Sequence, residues 1–140
     1  ADRGIDHSLP AKRSSLIKPN MNIRSFKDLH VWQRGMELVE EIYLLTKKLP
    51  SDERFGLCSQ IRRAAVSIPS NVSEGHRRST KEFIRFLTIA DGSAAEVETQ
   101  LILIAKIYPS IDCAKSFSLL SEVQKMIWSM SKGLKLSAPR

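Results

Sequence analysis

Arg62-Arg63, Arg77-Arg78, Lys81 and Arg85 are the side chains in this 140-residue sequence whose type and spacing suit a chemical task. A guanidinium group presents a planar fork of N–H donors that matches phosphate oxygens two at a time, so the set points to gripping a polyanion. Lys81 and Arg85 stand four apart and share one face of a helix. A structural reading competes on level terms: Glu74, Glu82, Asp52 and Glu53 lie near enough in sequence to neutralise the same cations within or between subunits. Cations just ahead of a helix oppose the positive end of its dipole, a placement that an anionic partner would relieve and that Glu82 also relieves.

The whole chain leans the same way, with 22 Lys and Arg against 15 Asp and Glu and a net charge of +7. Such a balance favours polyanionic partners such as RNA or DNA, without defining a site. Only 6% of the residues are aromatic, and Trp32 and Trp128 stand at or beside core-like helical positions. Base-stacking platforms use several exposed rings, so contacts to the phosphate backbone with weak sequence specificity are expected.

Catalysis finds no comparable set. His7, His30 and His76 show no HExxH or His-x-x-x-His spacing, and no Glu-x-x-His pair exists to build a di-metal bundle. Cys58 and Cys113 form no CxxC pair, and the glycines at 4, 35, 56, 75, 92 and 133 make no phosphate loop. Cys58 reads as an inert packed or interfacial thiol. Glu37, Glu40, Glu41, Glu96 and Glu98 are the only acidic raw material, and a solvated helical face explains them. The expectation is therefore no catalytic residue, no metal and no cofactor. No apolar run reaches the roughly 20 residues of a membrane span, and no secretory core opens the chain, so a soluble, reduced, cytoplasmic protein is expected.

The elements that must position the cations are helical. Residues 1–21 lack periodicity and read as a disordered tail or a non-native expression remnant, and the basic bias survives their removal. The domain is expected over residues 22–137. From Ser25, with Asp28 as capping partner, Leu29, Trp32, Met36, Val39, Ile42 and Leu45 recur at steps of three and four up to the Leu49-Pro50 stop. A second helix, capped by Ser51 or Asp52, carries Leu57, Ile61, Ala64, Ala65, Ile68 and Val72, with a kink or break expected at Pro69 and its far end at Gly75.

Ser79 and Glu82 form the S/T-x-x-E capping pattern ahead of Phe83, Leu87, Ala90, Ala94, Val97, Leu101 and Ile104, with Pro109 as the stop. The small residues Ala90, Gly92, Ser93, Ala94 and Ala95 would let a neighbouring helix approach closely. A last helix begins near Asp112 and carries Phe117, Leu120, Val123, Ile127, Met130 and Leu134, fraying over residues 137–140. Four amphipathic segments joined by short connections predict an all-α, antiparallel up-down-up-down four-helix bundle.

The run SFKDLHVWQRGMELVEEIYLLTKKLP and the blocks QIRRAAVSIPSNVSEG and RRSTKEFIRFL resemble the bacterial four-helix-bundle proteins encoded in intervening sequences of large-subunit ribosomal RNA genes. The resemblance covers about residues 22–107, and the last helix matches in length and pattern only. It implies a left-handed antiparallel bundle that assembles as a homopentamer. It also implies kinship with the accessory variability determinant of diversity-generating retroelements, which engages a reverse transcriptase and nucleic acid through a basic surface. Arg62, Arg63, Arg77, Arg78, Lys81 and Arg85 all fall inside the matching blocks.

Where that family commonly has Ile-Ala-Glu-Gly and then glycine or an aromatic, this chain has Val72-Ser73-Glu74-Gly75-His76-Arg77. A histidine beside the arginines would make anion binding weaken as pH rises through the histidine range. Three function classes follow in order: a non-catalytic, oligomeric nucleic-acid-binding or ribonucleoprotein scaffold; a protein-interaction module using small residues and exposed Ile84, Ile102 or Leu119, a reverse transcriptase being one partner; and, last, an enzyme.

Overall fold

Ser25 opens the fold in the computed structural model, which describes residues 25–137, with the capping pair that the sequence predicts. Its hydroxyl accepts from the Lys27 N–H at 3.1 Å, and the Asp28 carboxylate accepts from the Ser25 N–H at 3.3 Å. The expected tail over residues 1–21 lies outside the described residues. The pair caps only a 3-10 turn, Phe26–Asp28; Leu29 then takes extended backbone, and α1 is His30–Thr46.

The chain stops at Leu49-Pro50 as expected and makes a second 3-10 turn, Ser51–Glu53, before α2, Leu57–His76. Neither Ser51 nor Asp52 caps α2, because both are spent in that turn. Glu53, four residues ahead and one methylene longer than Asp, accepts from the Leu57 N–H at 3.2 Å instead. Pro69 does not break α2, and Ser70 and Asn71 start no new helix. Pro69 is buried where α1 has a glycine: a Cβ added to Gly35 would lie 3.5 Å from the Pro69 Cβ.

α3 is Thr80–Ile107, ending before Pro109, and α4 is Ala114–Ser137, entered where the Asp112 carboxylate accepts from the Ala114 N–H at 3.0 Å. Each helix packs on its sequence neighbours and α4 closes the ring on α1. Contacts fix the directions. Thr46 meets Arg62 while Gly35 meets Pro69, and Ser67 meets Ser93 while Gly75 meets Phe86, so α2 runs against both α1 and α3. Arg34 pairs with Glu122 and Lys115 with Glu41, so α4 runs against α1.

Leu38, Ile42, Ile61, Ile68, Val72, Leu87, Val97, Leu101, Ile104, Leu120 and Val123 fill the centre, each almost wholly removed from water. At roughly 25 cal/mol per Å² of apolar surface, this shared core outweighs any single polar contact in the fold. On α1 the buried seam differs from the expected stripe. Val31, Gly35, Leu38, Ile42 and Leu45 face inward, whereas Trp32 and Val39 are half-buried and Met36 is exposed. Ala90, Ser93 and Ala94 of the small-residue run meet neighbouring helices, but Gly92 and Ala95 face solvent. Leu119, expected to be exposed, is buried in α4; Ile84 is half-buried and Ile102 exposed.

Candidate nucleic-acid interface

The turn from α2 to α3 is shaped by Gly75 and Ser79. A Cβ on Gly75 would lie 2.6 Å from the Phe86 Cβ, so only glycine lets the last turn of α2 approach α3 this closely. Two residues on, the Arg77 and Arg78 N–H groups close α2 onto the Glu74 and Gly75 carbonyls. Ser79 then caps α3 by accepting from the Glu82 N–H at 3.3 Å. The capping box is only half made, because the Glu82 carboxylate turns away to Arg85.

These constraints bring four of the six expected cations together. Arg78 pairs with Glu74 at 2.9 Å, Arg85 with Glu82 at 2.9 Å, and both guanidinium groups lie over the Phe86 ring, 5.0 and 4.7 Å from its centroid. Among the described residues Arg77 and Lys81 are exposed and have no carboxylate partner. The two ion pairs are solvent-exposed, a setting in which such pairs contribute about 1 kcal/mol or less, so phosphate can compete for the same guanidinium groups. His76 is half-buried, edge-on to Phe83 at 5.7 Å.

Arg62 and Arg63 stand apart. Fifteen residues of helix separate Arg62 from Arg77, about 22 Å along the α2 axis. Arg62 is anchored: its Nε donates to the Thr46 hydroxyl at 2.8 Å, and its guanidinium lies 4.3 Å from the Tyr43 ring centroid. With exposed Arg63 and with Arg54, which sequence spacing did not single out, it lines a shallow cleft of about 430 Å³ that no carboxylate of the described residues lines. Asp52 and Glu53 do not neutralise these arginines. Glu53 instead accepts from the Tyr108 hydroxyl, which holds its carboxyl below the ordinary 4.5, with the Leu57 N–H adding to the effect. The same bond pushes the Tyr108 hydroxyl up to about 12.

A second surface feature is apolar. Phe26, Trp32, Met36, Val39, Val66 and Pro69 border a groove of about 370 Å³ between α1 and α2, and Val66 also borders the arginine cleft. The expected acidic residues are dispersed: Glu37 pairs with Arg34, Glu41 with Lys115, and Glu98 accepts from Gln124 at 2.9 Å. No group of three or more His, Cys, Asp or Glu side chains gathers among the described residues to hold a metal. Both cysteines are free thiols; Cys58 is half-buried, and burial pushes the Cys113 thiol up. No helix of the described residues is long and apolar enough to cross a membrane.

Residues 27–129 match the profile of the 23S rRNA-intervening sequence protein family. A solved structure from Bacteroides thetaiotaomicron, described as a protein with unknown function from the S23 ribosomal protein family, is similar at 29% identity and a TM-score of 0.64. The match covers 73% of this chain and 98% of that one. No curated protein matches the chain.

Proposed function

The chain belongs to the 23S rRNA-intervening sequence protein family, and from that premise we propose that it is a non-catalytic, oligomeric nucleic-acid-binding or ribonucleoprotein scaffold protein of the cytoplasm. Its basic surface contacts phosphates, and RNA is the preferred partner. The observation that carries this reading is the basic turn between α2 and α3. Arg78 and Arg85 are held against one ring, while the exposed Arg77 and Lys81 have no acidic partner among the described residues. Aromatic stacking and tethering carboxylates restrict the two long side chains before any ligand arrives, which reduces the entropy lost on binding.

The test is the salt dependence of binding to a single-stranded RNA oligonucleotide. Contacts to phosphates predict that log K falls linearly with log salt, by about 0.7 for each phosphate engaged. Affinity indifferent to salt would refute the proposal. The apolar groove favours a second reading, in which α1 and α2 form a protein-binding face for further copies in a homopentamer or for a partner such as a reverse transcriptase. Light scattering that finds a monomer, with RNA bound at full strength, would count against that alternative.

A further inference from the structure

We propose that the cleft between α1 and the start of α2 is a subsite for one unpaired nucleotide of an RNA strand. Arg54, Arg62 and Arg63 hold the phosphate, and Phe55 stacks on the base. The proposal rests on the nucleic-acid reading above and narrows it to single strands.

Three observations converge. Three arginines line one cleft, and no carboxylate stands among the described residues that line it, which favours an anion there. Arg62 is already fixed by Thr46 and the Tyr43 ring, leaving its Nη donors as a fork beside Arg63. Phe55 is 86% exposed, whereas the other four phenylalanines of the sequence are buried or half-buried. Its ring stands on the three-residue connection between the Ser51–Glu53 turn and α2, directly before Gly56.

Arg54 joins the two parts. It lines the cleft, and its guanidinium lies 5.7 Å from the Phe55 ring centroid. That short step suits a phosphate and a base of the same nucleotide. Paired bases hide their faces within the helical stack, so this ring is available only to an unpaired one. The subsite also departs from the sequence expectation of phosphate contacts alone, because an exposed ring stands where the aromatic content predicted none.

The experiment is a fluorescence-anisotropy titration of the full chain with a labelled single-stranded RNA and a blunt-ended RNA duplex of equal length. Single strands should bind more tightly. Phe55→Leu should weaken single-strand binding by roughly 5- to 150-fold while leaving the duplex unchanged, and Phe55→Trp should restore it. Arg54→Gln with Arg63→Gln should lower the salt slope by about 0.7 for each phosphate no longer engaged; Arg62 is left intact because it ties α2 to Thr46. Phe55→Leu that binds single strands as the parent does would overturn the subsite while leaving the phosphate-binding reading standing. Phe55→Leu that changes the particle mass without changing RNA affinity per subunit would overturn it too, marking Phe55 as a protein contact. Failure of the unaltered chain to bind either RNA would sink both the subsite and the reading beneath it.

Discussion

Gly75→Ala, in the last turn of α2, and Gly92→Ala, in the interior of α3, are the same chemical change, and the packing predicts opposite signs. Alanine is favoured over glycine in a helix by about 1 kcal/mol, so each variant starts with that gain. A Cβ at Gly92 meets nothing within 4 Å, and the gain is kept. A Cβ at Gly75 would sit 2.6 Å from the Phe86 Cβ, 3.0 Å from the Phe83 Cδ1 and 3.3 Å from the Phe86 Cγ. The nearest of these atoms is bonded directly to the α3 backbone and cannot rotate away, so the helix ends must separate.

Overpacking of this kind costs about 1–3 kcal/mol, and a backbone-anchored neighbour puts it near the top of that range. The expected net is a loss of about 1–2 kcal/mol for Gly75→Ala against a gain of about 0.5–1 kcal/mol for Gly92→Ala. At about 4 °C per kcal/mol for a domain of this size, Tm should fall by about 4–8 °C in the first and rise by about 2–4 °C in the second. Thermal unfolding by far-UV circular dichroism at one protein concentration reads both. Equal stabilisation of the two variants would refute the close approach of α2 to α3, and with it the geometry assigned to the basic turn.

Other outcomes follow from the same packing. Leu87→Ala, at a fully buried position, should cost about 2–5 kcal/mol in urea unfolding, whereas Trp128→Ala, at a 64% exposed position, should stay within about 0.5 kcal/mol of the parent. The Glu53 carboxyl is held below its ordinary 4.5, so its stabilising bond is present above that value and is lost as pH falls through the folded pKa. Tyr108 is pushed from 10.0 up to about 12, so its share is present below 10.0 and lost as pH rises through about 12. The urea-midpoint difference between the parent and Tyr108→Phe should therefore be largest near neutrality and narrow at both extremes; a difference flat from acid to alkali would contradict that linkage.

The four helices were legible because Pro50, Pro109, Ser25 and Ser79 punctuate the chain with local chemistry that needs no tertiary context. The α1 seam was not, for a physical reason. Its apolar residues cover a wide arc, and two overlapping stripes satisfy helical spacing equally well. The buried one runs through Gly35, which contributes no hydrophobicity but gives Pro69 room to pack; the other, through Trp32, Met36 and Val39, lines the surface groove instead.

Among the cations, Arg77, Arg78, Lys81 and Arg85 are neighbours in sequence and flank one tight turn. Sequence proximity could not tell that Arg62 and Arg63 look toward Arg54 and Tyr43, because that cleft depends on α1 and α2 lying side by side. Phe55 left one readable signal, a lone aromatic among charged residues beside a glycine. The Glu53–Tyr108 bond spans the bundle end and left none.

The most direct test of the account is charge reversal at the turn itself. Arg78→Glu combined with Lys81→Glu should abolish RNA binding while helicity and particle mass stay as in the parent, since both side chains are exposed and their backbone roles survive the change. Undiminished RNA affinity in that double variant, with the fold intact, would contradict the claim that this surface holds phosphate.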